Sequence, residues 1–243
     1  MMQNEGRFFI SKDFPQSLRN LFSAALITLG LGYVFAMIQV YETHAGLDGN
    51  PGINANDIAI AYSGNVNTSR LTTALLGPMS GNAPSRERRA IMDWATDGAD
   101  KAQYEASIKT IIDNRCLRCH DGSEAGAPLM VTYEQLAEFA KPDTGMSLAT
   151  LVRVSHIHLF GMTFIFFIMG FIFSHARVRP AWLKHVAMIG PFAMMITDIG
   201  SWYLTKLNPE FAWIIIGSGA IMGMCFAVEW CVSFYQIWFS RRT

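Results

Sequence analysis

The chain has 243 residues and no formal net charge, and its composition is 51% hydrophobic but only 16% charged. Soluble domains carry about 25% charged residues, so the deficit argues against a wholly water-exposed protein. The neutral balance leaves no electrostatic case for nucleic acid as a partner.

The apolar residues are concentrated in four stretches, each near the ~20 residues needed to cross ~30 Å of hydrocarbon as a helix. The first, "LRNLFSAALITLGLGYVFAMIQVY", occupies 18–41 behind a short N-terminal segment, 1–17. A cleavable signal peptide would have a shorter apolar core and a small-residue cleavage site after it. Here the chain continues "ETHAGLDG", so the stretch reads as a retained anchor. A polar insert, 42–150, separates it from the second stretch at 151–175. Two more follow at 185–205 and 211–239.

Within the insert, "NRCLRCHDG" places Cys116 and Cys119 two residues apart, with His120 adjoining. A structural zinc site needs four Cys or His ligands, and the remaining cysteines, Cys225 and Cys231, lie deep in the last apolar stretch. A thioredoxin-like redox pair needs a βαβ setting, whereas the flanks here are helical and loop-like. Covalent haem attachment accounts for all three residues. Two thiols add to the two porphyrin vinyl groups, and the next imidazole ligates the iron. Upstream, Ile108, Ile111 and Ile112 fall at i, i+3 and i+4, the pattern of a helix running into the motif.

The motif "CLRCH" and its surroundings, "MDWATDGADKAQYEASIKTIIDNRCLRCHDGSEAGAPLMVTYEQLAEFA", resemble the cytochrome c superfamily. The likeness is to the bacterial membrane-anchored monohaem kind, in which W…GA…Y precedes the haem site and a PL-x-TY-type segment follows. It covers residues 92–140 and leaves the membrane part aside. It implies one covalent haem c, electron transfer, and redox partner proteins, with a larger membrane complex among them. Members of the common class take a distal methionine from a loop well beyond the motif. Here only 121–150 separates His120 from the second apolar stretch, with Met130 and Met146 in it and Met79 upstream.

Histidines are the alternative distal ligands. His44 follows the first span, and His156 and His158 open the second. A helix rising 1.5 Å per residue carries His156 only about 9 Å below Thr150. The expected order is therefore His156, then His158, then His44, with Met130 and Met146 behind them. Glu42 or Asp198 could orient such an imidazole. A second haem, of b type, would need two histidines at matched depth on facing helices. His175 and His185 lie at the same end and could pair there, with His44 and His158 as the other conceivable pair; the loop that His175 and His185 flank is basic and interfacial, where unliganded histidines are common, so a second haem is disfavoured.

Asp198 and Glu229 fall inside the third and fourth apolar stretches. Ionisable groups there cost several kcal/mol unless paired or hydrated. They read as proton-moving or polar sites, or as hydrogen-bonded glue between close-packed helices in a segment containing "GSGAIMG". The glue reading is favoured for both.

Orientation follows lysines and arginines near span ends. Arg7, Lys12 and Arg19 precede the first span, Arg177, Arg179 and Lys184 fill the loop before the third, and Arg241 and Arg242 close the chain. The opposite short loop offers only Lys206. Both termini are thus expected in the cytoplasm of a bacterium, with the insert in the periplasm. The expected fold is mainly α, a four-helix transmembrane bundle in the inner membrane carrying a small helical cytochrome c-like domain between spans one and two. The expected function is electron transfer between a membrane redox complex and a periplasmic carrier, with no complete catalytic constellation. A haem subunit of a quinol-oxidising enzyme, with quinone in the bundle, and a haem-based sensor or assembly subunit are the alternatives. Membrane lipid is an expected partner in every case.

Overall fold

A computed structural model describes residues 14–125 and 127–239. Arg7, Lys12, Arg241 and Arg242, which enter the orientation argument, lie outside these residues. The fold is mainly helical, with no strand among the described residues. In chain order the helices are α1 (Gln16–His44), α2 (Ala55–Ser63), α3 (Arg70–Leu76), α4 (Ser85–Thr96) and α5 (Lys101–Gln103). A π-helical turn, Tyr104–Ile108, leads into α6 (Lys109–Arg115), followed by α7 (Leu117–His120) and α8 (Tyr133–Phe139). Then come α9 (Leu148–Ser174), α10 (Ala181–Leu207), a 3-10 turn (Pro209–Phe211) and α11 (Ala212–Trp238).

Three helical stretches are long and apolar enough to cross a membrane: Gln16–His44, Leu148–Ser174 and Pro209–Trp238. This differs from the four expected. The remaining long helix, α10, has 27 residues but is diluted by Lys184, His185, Pro191, Asp198 and Lys206.

The chain divides into two compact units, one of 1–38, 149–202 and 213–243, the other of 39–148 and 203–212. The first packs Phe22 and Leu26 of α1 with Met169, Ile172 and Phe173 of α9, Ala187 of α10, and Phe226 and Ile237 of α11. Close approach of α1 and α11 requires small residues. A Cβ on Gly223 would stand 2.5 Å from the Tyr33 hydroxyl, and one on Gly30 would stand 2.8 Å from Trp230 Nε1. Trp230 donates to the Leu26 carbonyl (2.7 Å) and Trp238 to Ser23 Oγ (2.8 Å), giving both indoles a polar partner. Leu31, Phe35, Phe160, Phe164, Phe167 and Trp213 are instead all more than half exposed. Large apolar side chains turned outward on long helices suit lipid as the surrounding solvent.

The second unit has its own core. Leu71 and Leu75 of α3, Ile91 and Trp94 of α4, Tyr104, Ile108 and Ile112, and Leu136 of α8 are buried together. Trp94 is fully enclosed, and its Nε1 donates to the Asp100 carbonyl at 2.8 Å. Tyr133 closes the same region by donating its hydroxyl to the Ala99 carbonyl. Elsewhere in the unit, the segments around Gly64 and Gly145 touch backbone to backbone. Both glycines have positive φ, and a Cβ on either would fall 2.3 Å from a carbonyl oxygen of the other segment. Lys206 locks that junction, donating to the carbonyls of Tyr62, Thr144 and Met146 at 3.1, 2.9 and 2.8 Å.

Candidate functional site

The helix over 101–115 is continuous through its π-helical turn and delivers the Cys-x-x-Cys-His residues at its end. Ile108 and Ile112, both 1% exposed, root it in the Trp94 core, as their spacing predicts. The Arg115 guanidinium grips Glu87 of α4 through two hydrogen bonds, Nε to Oε2 at 2.8 Å and Nη2 to Oε1 at 3.1 Å. That fork pins the last turn before the motif to α4, and it holds the Glu87 carboxyl below the usual glutamate range.

The amide of Cys116 still donates to Ile112 (2.8 Å), and the Cys116 carbonyl accepts from both Cys119 (3.2 Å) and His120 (3.0 Å). The three residues therefore share one helical turn. Both thiols are free, Cys116 half-buried against the core and Cys119 exposed. Burial pushes the Cys116 thiol up, so it keeps its proton at neutral pH. Among the described residues no three His, Cys, Asp or Glu side chains converge as a metal cage.

His120 Nδ1 lies 2.7 Å from the carbonyl oxygen of Pro128. A carbonyl only accepts, so Nδ1 donates, and in the neutral ring the lone pair is then on Nε2. Ligating histidines are commonly fixed by such a bond at the other nitrogen. The loop is held back on the histidine by a second bond, from the Met130 amide to the His120 carbonyl at 3.0 Å. It turns at Gly122, whose φ is +99°, a region that favours glycine. Asp121 accepts from the Ser123 hydroxyl and amide, which holds its carboxyl below the usual range. Leu129 and Val131, each 46% exposed, flank this loop. These features fit covalent haem c: two free thiols on one turn, an imidazole fixed in the ligating tautomer, and apolar surface beside it.

The other expected site residues are divided between the two units. His44 ends α1 in the second unit, its Nδ1 bonded to the Val40 carbonyl (3.0 Å). Met146 is in the same unit, its amide donating to Ala61 and its carbonyl accepting from Lys206. Met130 packs against the Trp94 core. Met79 is more than a third exposed, and its sulfur accepts from Asn82. Glu42 is exposed at the end of α1.

His156 and His158 belong to the first unit. His156 is exposed and edges onto Phe160. His158 donates Nδ1 to Val154 and stands edge-on to the Trp202 ring, centroids 5.3 Å apart. Nearby on α10, Asp198 accepts from Ser218 of α11 at 2.9 Å. Glu229 is different: it is 1% exposed, and neither carboxylate oxygen has a hydrogen-bond partner. Asp198 thus has a hydroxyl partner on a neighbouring helix, and Glu229 has none among the described residues. Ser233, one turn further along α11, is likewise fully buried with an unpartnered hydroxyl. His175 sits among Phe14, Phe22 and Phe171, while His185 is exposed.

Sequence reading missed the Pro128 carbonyl and the three-carbonyl seat of Lys206. The proline is visible in "GAPLM", but its backbone contact is not. Residues 120–243, just over half of the chain, match a family model described as a transmembrane helical domain. No curated protein and no solved structure matches the chain.

Proposed function

The chain belongs to this transmembrane helical domain family, and on that premise we propose that it is a membrane-bound c-type cytochrome. It passes single electrons between a membrane redox complex and a periplasmic carrier. The observation that carries the reading is the bond from His120 Nδ1 to the Pro128 carbonyl, on the turn that also bears both thiols. Cys116 and Cys119 would hold one haem c through thioether bonds, and His120 Nε2 would ligate its iron. When bound, haem c supplies one-electron exchange between ferric and ferrous iron. The chain's own residues fix the tautomer at His120, anchor the motif through Ile108 and Ile112, and offer Leu129 and Val131 as apolar cover.

For the distal position we keep His156 first, His158 second and His44 third. Met130 ranks below them, because its amide is tied to His120 and its side chain to the core. Met146 ranks below them because both its backbone groups are engaged at the Lys206 junction.

The proposed setting is the bacterial inner membrane, with four spans, the insert in the periplasm and both termini in the cytoplasm. In support of α10 as the additional span, its 27 residues extend about 40 Å at 1.5 Å per residue. Its one internal acid, Asp198, has a hydroxyl partner in Ser218.

Replacing both Cys116 and Cys119 by Ala tests the assignment. Wild-type protein, produced where c-type haem is attached, should stain for haem after denaturing electrophoresis, and the double variant should not. Equal staining of the two would overturn the reading. A second reading, a haem subunit of a quinol-oxidising complex, is favoured by one observation, the unpartnered carboxyl of Glu229 within α11.

A further inference from the structure

Glu229 and Ser233 lie one turn apart on the buried face of α11, 1% and 0% exposed. Neither the carboxylate oxygens of Glu229 nor the hydroxyl of Ser233 has a hydrogen-bond partner among the described residues. A serine inside a helix can bond back to a carbonyl of the preceding turn. Ser218 of the same helix does so, its Oγ 2.7 Å from the Ile214 carbonyl oxygen, whereas Ser233 does not. Residues at i and i+4 share a helix face. Cα–Cβ bonds tilt toward the N-terminus of a helix, so Ser233 leans over the turn that carries Glu229.

An isolated carboxylate in an apolar interior is far costlier than the neutral acid, and either form needs hydrogen-bond partners. On α9 the carboxyl is met by Gly170, where a Cβ would stand 3.9 Å from Glu229 Oε1, so the glycine leaves room beside it. Titratable groups on the packed helices are engaged elsewhere. On α1, Tyr33 stacks on Phe226 and Arg19 donates to the Ile237 carbonyl. His175 of α9 sits among Phe14, Phe22 and Phe171, and Lys184 of α10 donates to the Ser174 and Ala176 carbonyls. Cys225, one turn before Glu229 on α11, is a free thiol.

Polar groups continue from Glu229 in one direction only. Toward the start of α11 the next buried residues are Phe226 and Met222, both apolar. Toward its end, Ser233 is followed by Ile237, whose carbonyl accepts from Arg19 Nη2 at 2.9 Å. Each step of four residues rises about 6 Å. One water bonded to an oxygen on either side spans nearly the same distance, about 5.6 Å.

We propose that Glu229 and Ser233 form a proton-binding site inside the helix bundle. Glu229 holds the proton as a neutral acid, and a water shared with the Ser233 hydroxyl exchanges it with solvent at the end of the bundle where α11 finishes. In the exchange the water takes up the carboxyl proton and passes one of its own on toward Ile237; the reverse transfer restores the acid. A buried water needs two or more polar partners, and these two side chains supply them. The site requires neither haem nor quinone, so it stands or falls separately from both functional readings above.

The test is infrared spectroscopy of the full chain in a neutral detergent at neutral pH, in water and in heavy water. Wild-type protein should show the carbonyl-stretch band of a neutral carboxylic acid, and that band should shift in heavy water as the proton is exchanged for a deuteron. The wild-type comparison needs no variant, and the loss of the band in Glu229→Gln assigns it. Ser233→Ala should keep the band and slow its shift roughly tenfold, the worth of about one hydrogen bond. Ser218→Ala, which lies beyond Phe226 and Met222, should leave the rate as it is in wild type. Absence of the band from wild-type protein would mean an ionised Glu229 with a cation beside it and would overturn the site. A band that stays unshifted in heavy water would overturn the exchange, and equal slowing by Ser218→Ala and Ser233→Ala would overturn the one-sided route.

Discussion

Nδ1 of His120 is committed to the Pro128 carbonyl, which decides the nitrogen on which the ring can act as a ligand. The triplet itself was legible because its chemistry is local, with two thiols and an imidazole inside five residues. The carbonyl that fixes the imidazole was not, since it depends on a turn through Gly122 with positive φ. The two intramembrane acids show the same limit. Both read identically as ionisable residues in apolar stretches, yet Asp198 accepts from the Ser218 hydroxyl while the Glu229 carboxyl has no hydrogen-bond partner among the described residues. A buried carboxyl without a partner costs free energy that packing alone does not offset. Glu229→Gln keeps the shape of the side chain and removes its ability to exchange a proton. If Glu229 serves quinol oxidation, the variant should keep its haem spectrum while quinol-driven reduction slows by about 100-fold, the lower end of acid–base effects. Unchanged quinol-driven reduction would remove that role and leave the electron-carrier reading alone.

Among the helices, the run into the motif was legible from Ile108, Ile111 and Ile112, because a 3.6-residue period reports a buried face directly. The α3, α4 and α8 partners of that face were not legible, since their positions depend on contacts remote in sequence. The same holds for the junction of 62–64 with 143–146, where nothing in "YSGNV" or "DTGMS" announces that two glycines must meet. Their geometry yields a sharp expectation. Gly64→Ala and Gly145→Ala each put a Cβ 2.3 Å from a carbonyl oxygen at a residue of positive φ. Either substitution forces the segments apart and loosens the carbonyls that Lys206 holds. Each should destabilise the second unit by about 2–4 kcal/mol, against under ~1 kcal/mol for Gly81→Ala, which has open space around it. Thermal unfolding of the purified full chain measures the difference, and equal melting of the Gly64 and Gly81 variants would refute the close-contact account.

At the scale of the whole chain, a crossing by α10 decides the side of the C-terminus, because three crossings and four place it on opposite sides. By apolar character alone α10 falls short, yet it has the same 27 residues as α9 and α11. Its polar residues are also unevenly placed. Lys184 and His185 are within its first turns and Lys206 is at its last, with Asp198 the one acid between. Cations near helix ends are tolerated at the interface, where their long side chains reach polar groups. Lys184 and Lys206 do this through backbone carbonyls. The lysines and arginines at 177, 179 and 184 should keep that loop in the cytoplasm. A reporter active only outside the cytoplasm should therefore be active when fused after Asp121 or Asn208, and silent after Arg177 or Thr243. If α10 lay along the surface, the fusions after Arg177 and Asn208 would agree with each other, and the one after Thr243 would be active. That pattern would remove α10 as a span. Activity after Arg177 with silence after Asp121 would instead invert the orientation, putting Cys116 and Cys119 on the side away from periplasmic haem attachment.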